Sequence, residues 1–142
     1  MASLELLNRQ RKRAVDLKMF RLFAEPAIAR VAELVTPLAL PEEINVVFVS
    51  DARIAEVHRD FMSMDEPTDV ITFRHGEIII SVETAERNAN EFSTSLSHEL
   101  GLYFVHGLLH LAGLDDATRQ GFRKMAAIQN RVLEELEEKL WD

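Results

Sequence analysis

Residues 100–116 read LGLYFVHGLLHLAGLDD, and this stretch decides much of the fold. Apart from two histidines, residues 100–112 are apolar nearly all round, which is typical of a buried central helix rather than a surface helix. We therefore predict a helix over about residues 95–112, ended by a left-handed conformation at Gly113. His106 and His110 interrupt the apolar run, and buried imidazoles need partners for both ring nitrogens.

The two histidines are spaced so that they share one face of this helix. Residues four apart have Cβ atoms about 6 Å apart, so two imidazoles can reach one metal ion. A turn at Gly113 then directs the chain back and brings Asp116 toward the same point. The pattern resembles the metzincin proteases, and three protein ligands leave a position open for water or substrate. We therefore predict a divalent metal site of His106, His110 and Asp116 that serves hydrolysis.

A structural role for these residues is the alternative. Core hydrogen bonds often satisfy a histidine pair at this spacing, and Asp115 or Asp116 suits the N-cap of a following helix. Gly107 stands where metzincin proteases carry a general-base glutamate, which disfavours peptide hydrolysis by that route. A glycine inside a helix costs about 1 kcal/mol relative to alanine. Gly107 therefore indicates either close packing or space kept clear beside the metal.

The rest of the chain predicts an α+β fold with a small mixed sheet and flanking helices, in one domain over residues 1–142. The predicted strands are 3–8, 44–49, 70–73 and 77–80, with the last two as a hairpin or neighbours, after a turn at 65–68. The first predicted helix begins at Leu17, is capped by Asp16, and is kinked or split at Pro26. A second helix is capped by Asp51 and has Ile54, Val57 and Phe61 on its apolar face. A third covers residues 83–90, and a last helix begins after Asp116 with an apolar face of Phe122, Met125, Val132, Leu136 and Leu140.

Composition narrows the function classes. The 142 residues include no cysteine, which excludes disulfides, thiolate ligands and a cysteine nucleophile. No apolar run reaches the ~18 residues of a membrane span, and we expect a cytoplasmic protein. The net charge of -8 argues against general nucleic-acid binding. The charge is uneven, however, because a basic stretch lies near the N-terminus: Arg9, Arg11, Lys12, Arg13, Lys18 and Arg21.

Three sequence blocks resemble the YbeY family of metal-dependent endoribonucleases, which act in ribosomal RNA maturation. Residues 106–116, HGLLHLAGLDD, resemble the family signature H-G-x-L-H-L-x-G-Y-D-H. Residues 65–73, DEPTDVITF, resemble the block D-x-P-T-D-V-L-S-F, and residues 76–81, GEIIIS, resemble the strand G-D-I-V-I-S. The N-terminal LNRQ at 7–10 is similar as well, so the resemblance covers nearly the whole chain.

The resemblance implies a YbeY-like fold, a zinc-type site, and ribosomal RNA and the small ribosomal subunit as partners, with no membrane partner. His106 and His110 carry over as ligands, whereas Asp116 stands where the family has a third histidine. Carboxylate is a competent zinc ligand, and a two-histidine, one-carboxylate set also suits Fe²⁺ or Mn²⁺. Met62 stands where the family commonly has an arginine. Either a nearby cation, Arg59 or Arg74, binds the substrate phosphate in its place, or catalysis is weakened.

The function that we expect from the sequence is metal-dependent cleavage of single-stranded RNA in ribosomal RNA maturation and ribosome quality control. Glu99 and Asp115 are candidates for supporting a ligand imidazole or a bound water. The basic N-terminal stretch would guide RNA if it lies beside the metal. Two alternatives stay open: another metallohydrolase, including a protease that uses Glu99 as base, and a non-catalytic ribosome-assembly factor with a structural metal.

Overall fold

A mixed sheet of four strands forms the centre of the computed structural model, which describes residues 2–35, 40–62 and 68–142. The strands are β1 (Ser3–Asn8), β2 (Glu43–Val49), β3 (Val70–Phe73) and β4 (Glu77–Ser81), in the order β1-β2-β4-β3. β1, β2 and β4 are parallel, and β3 is antiparallel to β4. The predicted small mixed sheet and its β3–β4 hairpin are confirmed.

Five α-helices cover this sheet in the described residues. They are α1 (Leu17–Leu34), α2 (Asp51–Met62), α3 (Val82–Phe92), α4 (Leu96–Leu111) and α5 (Arg119–Glu135). The predicted α+β class is therefore confirmed. No helix in the described ranges is both long and apolar enough to cross a lipid bilayer.

Alternation of side chains along the strands divides the core into two layers. Val46 and Phe48 of β2, with Ile78 of β4, face the larger layer, which contains the apolar residues of α1, α4 and α5. Val47 and Ile79 face the opposite side of the sheet, where they meet the apolar face of α2. We call these the first and second faces of the sheet.

α4 is the central helix of the first face, as its apolar sequence predicts. Phe104, Leu108 and Leu109 are all fully buried. At Gly107 the helix lies so close to the sheet that an added Cβ would be 3.0 Å from the Cγ2 of Ile78 and 3.1 Å from that of Thr72. Of the two explanations for this glycine, close packing is therefore the one that the structure supports.

Two local predictions about helices α1 and α2 are corrected. α1 is one continuous helix through Pro26, which rules out the split that was predicted as the alternative to a kink. The Asp16 side chain caps it as predicted, accepting from the Met19 amide at 3.1 Å. Ser50, rather than Asp51, accepts the hydrogen bond that caps α2, from the amide of Arg53. The Asp51 carboxylate instead accepts hydrogen bonds from Ser81, Thr84 and Arg87.

Helical periodicity also placed two phenylalanines incorrectly. Phe61 at the end of α2 is 69% exposed, and Phe122 in the first turn of α5 is 60% exposed. Both residues lie in the end turns of their helices. α5 begins at Arg119 with Thr118 as its cap, so neither Asp115 nor Asp116 has that role. Residues 65–67 of the predicted turn lie outside the described residues.

Candidate metal centre

The C-terminal end of α4 reverses the chain in the way that the sequence predicts. Gly113 has φ +96°, a conformation that favours glycine. The amide of Leu114 donates to the Leu109 carbonyl at 3.0 Å, and the amide of Gly113 donates to the His110 carbonyl at 3.0 Å. This hydrogen-bond pair is the Schellman motif, and it turns the next residues back along the last turn of α4.

The reversal brings the three predicted ligands together. The Nε2 atoms of His106 and His110 are 3.1 Å apart, and Asp116 Oδ2 lies 3.9 Å from His106 Nε2. All three ligand atoms lie within 4.8 Å of one another. A tetrahedral zinc ion with bonds of about 2.0–2.1 Å keeps its nitrogen ligands about 3.3 Å apart. The spacing of the two imidazoles therefore fits a single divalent ion.

A glutamine on α5 orients one of the imidazoles. The Nδ1 atom of His106 lies 3.1 Å from Oε1 of Gln129, which only accepts, so Nδ1 is the protonated nitrogen of the ring. Nε2 is then free to donate its lone pair to a metal. Gln129 is not among the site residues that the sequence predicts. The available signal was its position on the packing stripe of α5, four residues after the buried Met125 and three before Val132.

The surroundings of His110 favour the neutral imidazole, which is the form that ligates metals. Burial lowers the pKa of His110 below its ordinary value, and the neighbouring His106 acts in the same direction. The charges of Asp116 and Asp115 act in the opposite sense but do not reverse the shift. A backbone hydrogen bond with Leu114 also acts in the opposite sense, and the net effect still favours the unprotonated ligand.

A surface cleft of about 580 Å³ opens beside this cluster. It is lined by Thr72, Arg74, His110, Leu111, Gly113, Leu114 and Asp115. Arg74 follows β3 directly and is exposed, and no ion pair joins its guanidinium to any residue in the described ranges. The cleft thus combines a candidate metal site with an exposed cation, which suits an anionic group of a substrate.

The other predicted site residues lie in different surroundings. Asp115 is exposed at the rim of the cleft, and its carboxylate accepts from the Ala117 amide at 3.0 Å. Glu99 is buried, and its carboxylate accepts from the hydroxyls of Thr94 and Tyr103. Glu99 therefore belongs to a network near the start of α4, and Gln129 has the position beside His106 that was considered for it.

Two of the expected phosphate-binding groups are not beside the cleft. Arg59 lies on α2, across the sheet from α4, and pairs with Asp60 at 3.3 Å. The basic N-terminal stretch begins where β1 ends, and β1 is separated from β3 by the full width of the sheet, about 14 Å at usual strand spacings. The condition under which this stretch would guide RNA to the metal is therefore not met, because none of its residues lines the cleft and β1 lies at the opposite edge of the sheet.

Comparison with known proteins gives a consistent result over most of the chain. The family model described as Endoribonuclease YbeY matches residues 5–137. A protein named Endoribonuclease YbeY from Heliobacterium modesticaldum is 35% identical over 75% of this chain and 76% of its own length. One of the same name from Bacillus cereus is 35% identical over 65% of this chain and 71% of its own.

A solved structure shows the same fold. The solution structure of TM1509 from Thermotoga maritima superimposes with a TM-score of 0.65 and 27% sequence identity. The superposition covers 96% of this chain and 93% of the other, so the similarity includes the sheet, α4 and the turn that follows it.

Proposed function

The chain belongs to the YbeY family of endoribonucleases, and on this premise we propose that it hydrolyses single-stranded RNA at a divalent metal site formed by His106, His110 and Asp116. The observation that carries the proposal is the convergence of these three ligand atoms beside a cleft that contains the exposed Arg74. We further propose maturation of ribosomal RNA and ribosome quality control as the cellular role, with the small ribosomal subunit as partner and the cytoplasm as location.

The donor set defines what the bound ion contributes. A divalent ion held by two imidazoles and one carboxylate supplies Lewis acidity, which polarises a phosphoryl oxygen or a water. Zinc suits the ligands, and the carboxylate widens the choice to Fe²⁺ and Mn²⁺. Gln129 holds the ring of His106 with its Nε2 directed to the site.

Residues of the chain then bind and orient the RNA. Arg74 lines the cleft beside His110 and is the cation that we propose for binding the phosphate in place of an arginine at Met62. Arg presents a planar fork of donors that matches phosphate oxygens, so it fixes orientation as well as charge. Asp115, at the rim of the cleft, is the carboxylate closest in sequence to the ligand Asp116 and is available to orient a water.

A protease role is less well supported. The position after the first histidine is Gly107, which packs on the sheet. Glu99, the other candidate base, is 3% exposed and does not line the cleft. Neither position 107 nor Glu99 therefore offers the metalloprotease route a proton acceptor at the cleft. A non-catalytic assembly factor is the alternative that the first experiment tests.

The test combines metal content with RNA cleavage. Untagged protein, refilled in turn with Zn²⁺, Fe²⁺ and Mn²⁺, is analysed by elemental mass spectrometry and incubated with single-stranded RNA. We expect about one ion per chain and cleavage that a chelator stops. His110→Ala is expected to lose both, whereas His98→Ala, which changes a histidine in the first turn of α4, keeps both. Ion binding without cleavage would support the assembly factor instead.

A further inference from the structure

The second face of the sheet carries an exposed aromatic group that the metal site does not use. Phe61 at the end of α2 is 69% exposed. Its ring contacts that of Phe73 edge-on, with centroids 5.3 Å apart, and Phe73 is stacked on the exposed ring of His75 at 5.9 Å and 16°. Three rings thus form one platform at the edge of the sheet, and we refer to Phe61, Phe73 and His75 as the aromatic platform.

The platform borders a depression along the part of the second face that α2 leaves uncovered. Two adjoining hollows of about 520 and 270 Å³ share Arg53, Val57, Glu77 and Ile79. The larger hollow reaches Leu7 and Arg9 on β1, and the smaller one contains the platform. The floor is apolar, and the charged lining consists of two arginines against one acid, Glu77.

This local charge is unusual for a chain with a net charge of -8. Arg9 makes no ion pair within the described part of the chain, and Arg53 pairs only with Glu56 at 3.3 Å, with both side chains about half exposed. Such an exposed pair is weak and is easily exchanged for a phosphate. The depression therefore offers cations together with flat rings, which is the combination that single-stranded nucleic acids bind.

β3 links this depression to the metal cleft. It is an edge strand, and successive side chains point to opposite faces. Thr72 and Arg74 accordingly line the metal cleft, whereas Phe73 and His75 line the depression. The two sites thus lie on opposite faces of the same edge strand, so a flexible chain that crosses the edge of β3 can reach both.

We infer that the aromatic platform is a base-stacking subsite for single-stranded RNA, occupied by a nucleotide next to the segment held at the metal cleft. The inference rests on the proposed RNA substrate. A base stacks on the exposed face of Phe61, the most exposed phenylalanine of the platform, and Arg53 and Arg9 contact the phosphates that follow. RNA is favoured over a protein partner because cations and exposed ring faces occur together, and because the path leads directly to Arg74.

The test measures binding apart from cleavage. Fluorescence anisotropy with the full chain in chelator compares a labelled single-stranded oligoadenylate with an abasic oligonucleotide of equal length. For Phe61→Ala we expect Kd to rise at least about fivefold for the base-containing strand and to stay unchanged for the abasic one, because only bases stack. Phe92→Ala, which removes a 63% exposed phenylalanine from α3, is the matched control and is expected to leave both values unchanged.

The outcomes separate this inference from the proposed function. If the wild type cleaves RNA while Phe61→Ala binds both strands as Phe92→Ala does, the subsite is refuted and the nuclease stands; the exposed platform would then indicate a protein-binding surface. An equal loss with the abasic strand would also refute stacking. If no RNA is cleaved but Phe61→Ala loses base-dependent binding, the subsite stands and the nuclease proposal fails.

Discussion

Gln129 on α5 accepts a hydrogen bond from Nδ1 of His106 on α4 at 3.1 Å, and this contact orients a candidate metal ligand from a different helix. We expect Gln129→Ala to weaken metal affinity by roughly 10- to 100-fold, which is typical when such a partner is removed. Competition with a chromogenic chelator measures the change. Gln120→Ala, at an exposed position of the same helix, is the control, and Gln129→Glu should restore most of the affinity because it keeps an acceptor.

Asp116 distinguishes this chain from the three-histidine pattern of the family signature. We expect Asp116→Ala to lose the ion and Asp115→Ala to keep it, because only Asp116 lies with the imidazoles. Asp116→His should retain about one ion per chain and shift the preference from Mn²⁺ toward Zn²⁺, since imidazole is the softer ligand. Metal content after equilibration with both ions provides the measurement. Full occupancy in Asp116→Ala would show that it is not a ligand.

Arg74 and Arg59 were equal candidates for binding the substrate phosphate, and their positions differ. Arg74 lines the metal cleft, while Arg59 lies on α2 with Asp60. We expect Arg74→Ala to reduce kcat/KM for RNA by roughly tenfold or more, the effect of losing a charge-assisted contact of about 1.5–3 kcal/mol. Arg59→Ala should change it little. Arg74→Lys should recover part of the loss, because lysine keeps the charge without the planar fork.

A substitution at Gly107 distinguishes the two roles considered for this glycine, close packing on the sheet and space kept clear beside the metal. An added Cβ meets Ile78 and Thr72 at 3.0–3.1 Å. We expect Gly107→Ala to lower the free energy of unfolding by about 1 kcal/mol, because the strain of overpacking exceeds the gain in helix propensity. Denaturant titration gives this value. The metal content should stay at one ion, and its loss in a protein of unchanged stability would contradict the packing interpretation.

The Asp51 carboxylate connects α2 to the start of α3, and its effect on stability depends on pH. Partial burial raises the pKa of Asp51, but hydrogen bonds from Arg87, Ser81 and Thr84 outweigh burial and hold the pKa below its ordinary value. A lowered pKa contributes stability that is present above the ordinary value of about 3.9 and is lost as the pH falls through the folded-state pKa.

We therefore expect Asp51→Asn to cost about 1–2 kcal/mol at pH 7, and the difference from the wild type to shrink below about pH 4. Thermal or denaturant unfolding across this range measures the effect. Asp60→Asn, on the exposed part of α2, is the control. A difference that stays constant down to pH 2 would mean that the charge of Asp51 is not what stabilises the contact.

Local interactions explain what the sequence determined by itself. The ligand positions His106 and His110 follow from the helical repeat, and the left-handed turn at Gly113 brings Asp116 back, so the whole set lies within eleven residues. The strands and helices follow equally from period, caps and turn residues. Such features depend on neighbours a few residues away, and a sequence displays those neighbours directly.

Only the tertiary structure decided which distant residues meet. Gln129 reaches His106 because α5 packs on α4, and Arg74 rather than Arg59 borders the cleft because β3 lies at the sheet edge beneath α4. Phe61, in the last turn of α2, stays 69% exposed although its ring contacts Phe73 of the edge strand β3. Periodicity shows which side of a helix or strand is apolar, but helix packing and strand order determine which residues that side contacts.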